Sequence, residues 1–184
     1  VAAALDKLDV AGGTACDAAD EAAVEAAVTE AAEALGGLDG VFVNAGMDGE
    51  DKNAMELSAE SFRRVLDVNV VGAFVLARAA ARLMDRGSAI VINASVNGLR
   101  PEHGFLDYNA SKAAAISVAQ SLALDLADRG IAVSAICPGY VRTPMTAAFL
   151  DDPGRAEGLL ADIPAGRFGE PVDVAELVDF LLSG

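Results

Sequence analysis

The chain has 184 residues, of which 53% are hydrophobic, and a formal net charge of −15 from 28 acidic and 13 basic side chains. A chain of this length buries one sizeable core but not two ordinary ones, so residues 1–184 are expected to form a single domain. The acidic excess repels phosphates and argues against a nucleic-acid partner. No apolar run reaches the roughly 18 residues that a membrane span needs, and no signal peptide is visible, so no membrane partner is expected.

The two cysteines, Cys16 and Cys137, each end an apolar run that is typical of a buried strand. We therefore expect two packed thiols. A disulfide or a metal site would need closer spacing or further histidine and cysteine partners, and the chain has one histidine. Reduced cysteines without an export signal indicate a cytoplasmic protein.

In chain order, short apolar runs alternate with longer helical patterns. The apolar runs predict strands at 12–16, 39–44, 88–94 and 131–137. The helical patterns cover 20–35, 58–86, 107–129 and 171–182. Their ends carry ordinary signals, with Ser58 as an N-cap, Pro171 at a first helical position, and glycine stops at Gly36-Gly37, Gly87 and Gly130. This alternation predicts a parallel sheet that is covered by helices on both faces.

Residues 143–166 interrupt the alternation with mixed helical and turn character and three prolines, Pro144, Pro153 and Pro164. Excursions of this kind from a sheet commonly form lids and binding loops. We expect this segment to cover a substrate site.

Tyr108 and Lys112 are four residues apart at the start of the helix 107–129, which places both side chains on one helix face. An ammonium beside a phenol favours the phenolate, so we expect Lys112 to lower the pKa of Tyr108. Such a tyrosine can exchange a proton with an alcohol or carbonyl oxygen. The pair alone also fits an ordinary helix surface.

Polar or small residues follow three of the predicted strands, at the carboxyl edge where parallel sheets bind ligands. They are Asn44-Ala45-Gly46, Ser95 and Pro138-Gly139. Asn69 is a polar residue within an apolar helical stretch, where asparagine is unfavourable and therefore indicates a function; the alternative is a side chain that faces solvent.

Together, these motifs resemble the short-chain dehydrogenase/reductase family over nearly the whole chain. They occur in the family's order, as Asn44-Ala45-Gly46, Asn69, Ser95, Tyr108-x-x-x-Lys112 and Pro138-Gly139. The resemblance implies an α/β fold with a Rossmann-type, doubly wound parallel sheet. It also implies a nicotinamide cofactor, NAD or NADP, and a small-molecule carbonyl or alcohol substrate. Family members commonly form homo-tetramers or dimers, and the helices 58–86 and 107–129 are the expected contact.

The resemblance also implies individual roles. Tyr108 would be the general acid in reduction and the base in oxidation, and Ser95 would orient the substrate carbonyl. Lys112 would hold the nicotinamide ribose, and Asn69 would anchor a water that relays protons. It also implies the remaining contacts with the cofactor. Those with the adenosine part would be made by Asp17, Asn44, Ala45 and Gly46. Those with the nicotinamide would be made by Pro138, Gly139, Val141 and Thr143. Weaker similarity over 163–171 points to the 3-oxoacyl reductase and the sugar or alcohol dehydrogenase branches.

The sequence departs from the family pattern at both ends. It lacks the opening strand with its glycine-rich phosphate turn, the second strand with the NAD-or-NADP determinant, and the last strand. The sheet is therefore expected to be incomplete, with a gap of roughly 14 Å between the strands 12–16 and 39–44 in the family order 3-2-1-4-5-6. Three outcomes stay open: the first strand moves beside 39–44, another chain fills the gap, or the fragment folds poorly. We expect residues 1–184 alone to bind NAD(P) weakly or not at all.

Two functions compete with an active oxidoreductase. One is a non-catalytic, nucleotide-binding relative, which the intact set of Asn69, Ser95, Tyr108 and Lys112 argues against. The other is an inactive fragment, which the missing phosphate turn favours.

Overall fold

The computed structural model describes residue 10 and residues 12–183. Three strands form one parallel sheet with β2 in the middle. They are β1 (Leu38–Val43), β2 (Met84–Asn93) and β3 (Ala132–Ile136). The last three of the four predicted strands, and their parallel direction, are therefore confirmed.

Helices connect and cover these strands, and each predicted helical pattern corresponds to an observed helix. In chain order they are α1 (Glu21–Leu35), α2 (Ala59–Leu66), α3 (Ala73–Leu83), α4 (Leu106–Asp125), α5 (Ala147–Leu150), α6 (Pro153–Ala161) and α7 (Pro171–Leu182). A π-helical turn, Asp67–Gly72, joins α2 to α3. The segment 143–166 contains the two short helices α5 and α6.

The helix ends follow the local signals in the sequence. The Ser58 hydroxyl accepts a hydrogen bond from the Ser61 N–H and caps α2, as predicted. Gly36 ends α1 in the left-handed conformation, with a φ of 76° that a glycine adopts without a steric penalty. The helix predicted to continue to residue 86 ends at Leu83 instead. Met84 is the first residue of β2 and pairs with Leu38 of β1, so the chain enters the sheet three residues before Gly87, the predicted end of the helix.

The core lies on both faces of the sheet because successive residues of a strand point to opposite sides. Ile90 and Ile92 of β2 are buried against α3 and α4, and Val91 is buried on the other face with Val178 of α7. Such burial on both sides explains why β2 is a continuous apolar run. The two-sided covering predicted from the sequence is confirmed.

The strand predicted at 12–16 is wrong. Residues 12–16 are exposed and adopt no regular structure, and Cys16 is an exposed thiol rather than a buried one. A strand is stable only when a neighbour satisfies its N–H and C=O groups, and no strand of the described residues lies beside this segment. The outcome in which 12–16 moves beside 39–44 is therefore also wrong. Cys137, at the end of β3, is half-buried.

Within the described part of the chain, no helix is both long and apolar enough to cross a lipid bilayer.

Candidate active site

The carboxyl ends of the three strands and the first turns of α4 enclose a cavity of about 460 Å³. Most of the residues singled out in the sequence line it. They are Asn44, Gly46, Ser95, Tyr108, Lys112, Pro138, Gly139, Val141 and Thr143. Three strand ends and one helix thus bring side chains together that lie far apart in the sequence.

Asn69 stands behind this cavity, in the π-helical turn between α2 and α3. It is buried, so the alternative of a solvent-facing asparagine is wrong. Its Nδ2 donates to the Met47 carbonyl at 2.9 Å and to the Ser111 hydroxyl at 3.0 Å, and its Oδ1 accepts from the Met47 N–H at 2.8 Å. The carboxamide therefore fixes the backbone just after Asn44-Ala45-Gly46 to the helix that carries Tyr108 and Lys112.

Lys112 is buried at the floor of the cavity. Its Nζ donates to the backbone carbonyl of Asn93 at 2.8 Å and lies 5.6 Å from the centroid of the Tyr108 ring. Burial penalises the charged form and lowers the pKa of Lys112 to about 8. The ammonium thus loses its proton far more easily than an exposed lysine.

The pKa of Tyr108 is raised, contrary to the sequence-based expectation. Burial of the phenol is the main cause, and the negative charges of Asp48 and Glu102 add to it, whereas hydrogen bonding with Ser95 acts in the opposite direction. The expectation took account of Lys112 alone. The ammonium is turned toward the carbonyl of Asn93, and the two carboxylates come from loops that helix spacing does not reveal.

Ser95 is buried at the end of β2, where it begins a short 3₁₀ turn, Val96–Gly98. Its Oγ accepts a hydrogen bond from the Asn97 N–H at 3.2 Å. The hydroxyl donates only a long hydrogen bond, 3.5 Å, to Asn97 Oδ1, so a ligand oxygen can replace that acceptor.

Sequence reasoning did not single out Asn93, which also lines the cavity. Its Nδ2 donates to Asn44 Oδ1 at 2.8 Å and ties the end of β2 to the end of β1. Its Oδ1 is buried and has no hydrogen-bond partner in the described part of the chain. The signal in the sequence was a polar side chain that ends an otherwise apolar strand two residues before Ser95.

A second, smaller cavity of about 70 Å³ adjoins the first, since Ser95, Tyr108 and Gly139 line both. It carries carboxylates and aromatic rings that sequence reasoning did not assign to the site. These residues are Asp48, Glu102, Phe105 and Tyr140, and Phe149 lines the cavity with them. The segment 143–166 contributes Met145 and Thr146 to both cavities.

The structure does not bring every predicted residue into the lining. Ala45 and Asp17 lie outside both cavities, and the Asp17 carboxylate accepts the Ala19 N–H at 2.9 Å in the turn before α1. Their implied contacts with adenosine stay predictions. His103 is exposed and lines neither cavity. Among the residues 12–183, no group of histidine, cysteine and acidic side chains is arranged to hold a metal ion.

The larger cavity fits the nicotinamide cofactor that the resemblance implies. A Cβ added at Gly139 would meet no atom within 4 Å, so the backbone there is open to a close ligand, whereas one at Gly46 would press against Asn69 Oδ1 at 3.3 Å. The unpartnered Asn93 Oδ1 offers an acceptor to a ligand amide or hydroxyl, and the Lys112 ammonium offers a donor. These groups suit a ribose and a carboxamide.

Comparisons with known proteins agree with this arrangement. The family model adh_short_C2, described as Enoyl-(Acyl carrier protein) reductase, matches residues 1–184. The 4-formylbenzenesulfonate dehydrogenase of Comamonas testosteroni is 39% identical over 176 residues, which are 93% of this chain and 70% of that protein. The chain spans 63–70% of the length of such relatives.

Solved structures show the same fold. A short-chain dehydrogenase from Burkholderia cenocepacia in complex with NADP has a TM-score of 0.84 and 38% identity, covering 91% of this chain and 67% of that one. The 3-oxoacyl-[acyl-carrier protein] reductase of Brucella melitensis in complex with NAD has a TM-score of 0.83 and 31% identity, covering 92% of this chain and 70% of that one. The Rossmann-type α/β fold with an incomplete parallel sheet, predicted from the sequence, is confirmed.

Proposed function

Because this chain belongs to the short-chain dehydrogenase/reductase family, we propose that it carries the catalytic site of an NAD(P)-dependent oxidoreductase that interconverts a carbonyl and a secondary alcohol. The observation that carries the proposal is that Ser95, Tyr108 and Lys112 line the same cavity, at the carboxyl ends of the three strands. The solved relatives that hold NADP or NAD support the choice of cofactor.

Some residues of this chain would bind the cofactor, and others would transfer the proton. Lys112, Asn93 and the backbone at Gly46 and Gly139 would hold the nicotinamide and its ribose in the larger cavity. The bound nicotinamide supplies or accepts the hydride. The substrate carbonyl then lies where the two cavities meet, because Ser95 and Tyr108 face both.

Tyr108 is the proton donor in carbonyl reduction. Its raised pKa keeps the phenol protonated near neutral pH, so the proton is in place when the carbonyl oxygen acquires negative charge. The Ser95 hydroxyl donates a second hydrogen bond to the same oxygen and holds it in line. Asn69 acts through the backbone of Met47, which it positions against α4, and not by contact with the substrate.

The test uses the protein expressed from the complete reading frame that encodes this chain. Oxidation of NADH and NADPH is followed with a panel of ketones and 3-oxoacyl thioesters, and Tyr108→Phe is compared with the wild type. Loss of a general acid should lower kcat by about 10²- to 10⁴-fold. Ser95→Ala should also lower kcat, whereas Ser121→Ala, on the exposed surface of α4, should not.

Cofactor binding is measured separately by the fluorescence of bound NAD(P)H. Tyr108→Phe should keep that binding, since the phenol acts on the substrate. Undiminished turnover by Tyr108→Phe would refute the assigned mechanism. Cofactor binding by the wild type without turnover of any substrate would favour the non-catalytic, nucleotide-binding relative instead.

A further inference from the structure

The smaller cavity borders Tyr108 but is not lined by the proposed cofactor residues Asn93 and Lys112. It shares Ser95, Tyr108 and Gly139 with the larger cavity but contains none of Asn44, Gly46 or Lys112. A substrate whose oxygen contacts Ser95 and Tyr108 therefore extends one of its substituents into this smaller space. With about 70 Å³, the cavity accommodates a short substituent rather than a long chain.

Two carboxylates line this space, and no lysine, arginine or histidine of the described chain does. The Glu102 carboxylate accepts a hydrogen bond from the Tyr140 hydroxyl at 2.7 Å. The backbone of Glu102 is held in turn by Asn109 of α4, whose Nδ2 donates to the Glu102 carbonyl at 2.7 Å. The carboxylate is thus fixed in place relative to Tyr108.

Burial is the main cause of the raised pKa of Tyr108, Tyr140 and Asp48. The neighbouring carboxylates add to it in the same direction: Asp48 and Glu102 raise the pKa of Tyr108, Glu102 raises that of Tyr140, and Asp107 and Asp51 raise that of Asp48. The negative potential in the cavity therefore arises from the two carboxylates in its lining, and these contributions agree with it in sign.

Two cations near this space are not part of its lining: the Lys112 Nζ lies 5.6 Å from the centroid of the Tyr108 ring, and Arg155 offsets part of the negative charge by lowering the pKa of Tyr140. Arg155 stacks on Phe149, with its guanidinium 4.1 Å from the ring centroid, and is exposed to solvent. It also lies 3.7 Å from a carboxylate oxygen of Asp51. Solvent and Asp51 therefore screen part of its charge.

We propose that Asp48, Glu102 and Tyr140 select substrates with a neutral hydroxyl group on the carbon next to the reacting carbonyl, and reject substrates that carry an anion there. The hydroxyl donates a hydrogen bond to one of the carboxylates, whereas an anionic group would be desolvated beside two like charges. This inference rests on the proposed oxidoreductase function.

The test compares three methyl ketones of nearly equal size in the full-length protein: hydroxyacetone, 2-butanone and pyruvate. They place a hydroxymethyl, an ethyl and a carboxylate group at the same position. We expect kcat/KM for hydroxyacetone to exceed that for pyruvate by at least about a hundredfold, the size of one close like-charge repulsion in a partly screened site. A ketone beside a carboxylate is intrinsically reactive, so this order opposes chemical reactivity.

The double variant Asp48→Asn/Glu102→Gln should reduce this discrimination, measured as the ratio of kcat/KM for hydroxyacetone to that for pyruvate, by about tenfold or more. A control variant, Asp39→Asn/Asp85→Asn, removes two carboxylates at the opposite, amino ends of β1 and β2 and should keep the discrimination. In the pH profile of kcat/KM, the step assigned to Tyr108 should also move to lower pH in the double variant, because two charges that raise the pKa of Tyr108 are removed.

The outcomes separate the two proposals. If no ketone is reduced with either nicotinamide cofactor, the proposed oxidoreductase function fails. If 2-butanone is reduced and pyruvate is used as well as hydroxyacetone, the function stands and the charge selection is refuted. An unchanged ratio in the double variant together with an unshifted pH profile would likewise refute it.

Discussion

Replacement of Lys112 by methionine should remove a pH dependence of stability that the wild-type protein shows. Lys112 is 6% exposed, and its pKa falls from 10.5 to about 8 because the ammonium is desolvated. This difference corresponds to about 3 kcal/mol between the charged and neutral forms. Lys112→Met keeps the length and apolar character of the side chain and removes the titrating group.

The sign follows from the protons bound in each state. Between about pH 8 and pH 10.5, Lys112 is largely neutral in the folded protein and charged in the unfolded chain. Since the unfolded state then binds more protons, raising the pH stabilises the folded state. The contribution is lost again as the pH falls through the folded pKa. From about pH 7 to about pH 9.5, the free energy of unfolding should rise by about 2 kcal/mol through this group.

The assay is urea unfolding at several pH values over this range, with the wild type, Lys112→Met and Lys52→Met compared at each. Taking the difference between variants cancels the contribution of other titrating groups. Lys52 is exposed and paired with Glu50, so Lys52→Met should keep the wild-type slope. If the difference between the wild type and Lys112→Met is constant over the whole range, the folded-state pKa of Lys112 is not depressed and the reasoning is refuted.

Two substitutions test the packing behind the cavity. Asn69→Ala removes both hydrogen bonds to the Met47 backbone and should lower the free energy of unfolding by about 2–4 kcal/mol; a loss below about 0.5 kcal/mol in urea unfolding would contradict this role. Gly49→Ala places a methyl group against the buried Asp107 carboxylate and should destabilise by about 1–3 kcal/mol. Its matched control, Gly158→Ala on the open face of α6, should be neutral or stabilising, and equal effects of the two changes in the same assay would show that the contact with Asp107 is not tight.

Local sequence signals predicted much of this fold because they act within a few residues. The Ser58 cap, the Gly36 stop and the apolar run that becomes β2 each depend on neighbours in the chain, and the structure has all three. The strand ends beside the cavity were predictable for a related reason. In a parallel sheet, every carboxyl end lies at one edge, so residues such as Ser95 and Gly139 must meet there.

The prediction of a strand at 12–16 was wrong because a strand depends on its neighbours in the sheet. An apolar run indicates that a segment can be buried between two layers, but it does not indicate that a pairing strand lies beside it. In the described residues nothing pairs with this segment, and its backbone stays exposed. Cys16 is exposed for the same reason, since its predicted burial depended entirely on the strand.

The pKa of Tyr108 shows a second limit of sequence reasoning. The four-residue spacing correctly places Lys112 on the same helix face, but the sign of the shift depends on groups from elsewhere in the chain. Burial, Asp48 and Glu102 outweigh a lysine whose Nζ is bound to a backbone carbonyl. The helix face was predictable, whereas the direction of the ammonium was not.

The order of the two pKa values determines which protonation state of Tyr108 and Lys112 the protein offers near neutral pH. The pKa of Lys112 is about 8 and that of Tyr108 lies above its ordinary value of 10, so a rising pH removes the proton of the lysine first. The pair of phenolate and ammonium that alcohol oxidation needs is therefore disfavoured in the protein by itself. A protonated phenol beside a charged ammonium is instead the stable state near neutral pH. In that state the phenol proton is present when a carbonyl oxygen binds, and Asp48 and Glu102 favour it over the phenolate because they raise the pKa of Tyr108. The same carboxylates thus act in both proposals, since the charge that keeps Tyr108 protonated would also repel an anionic substrate.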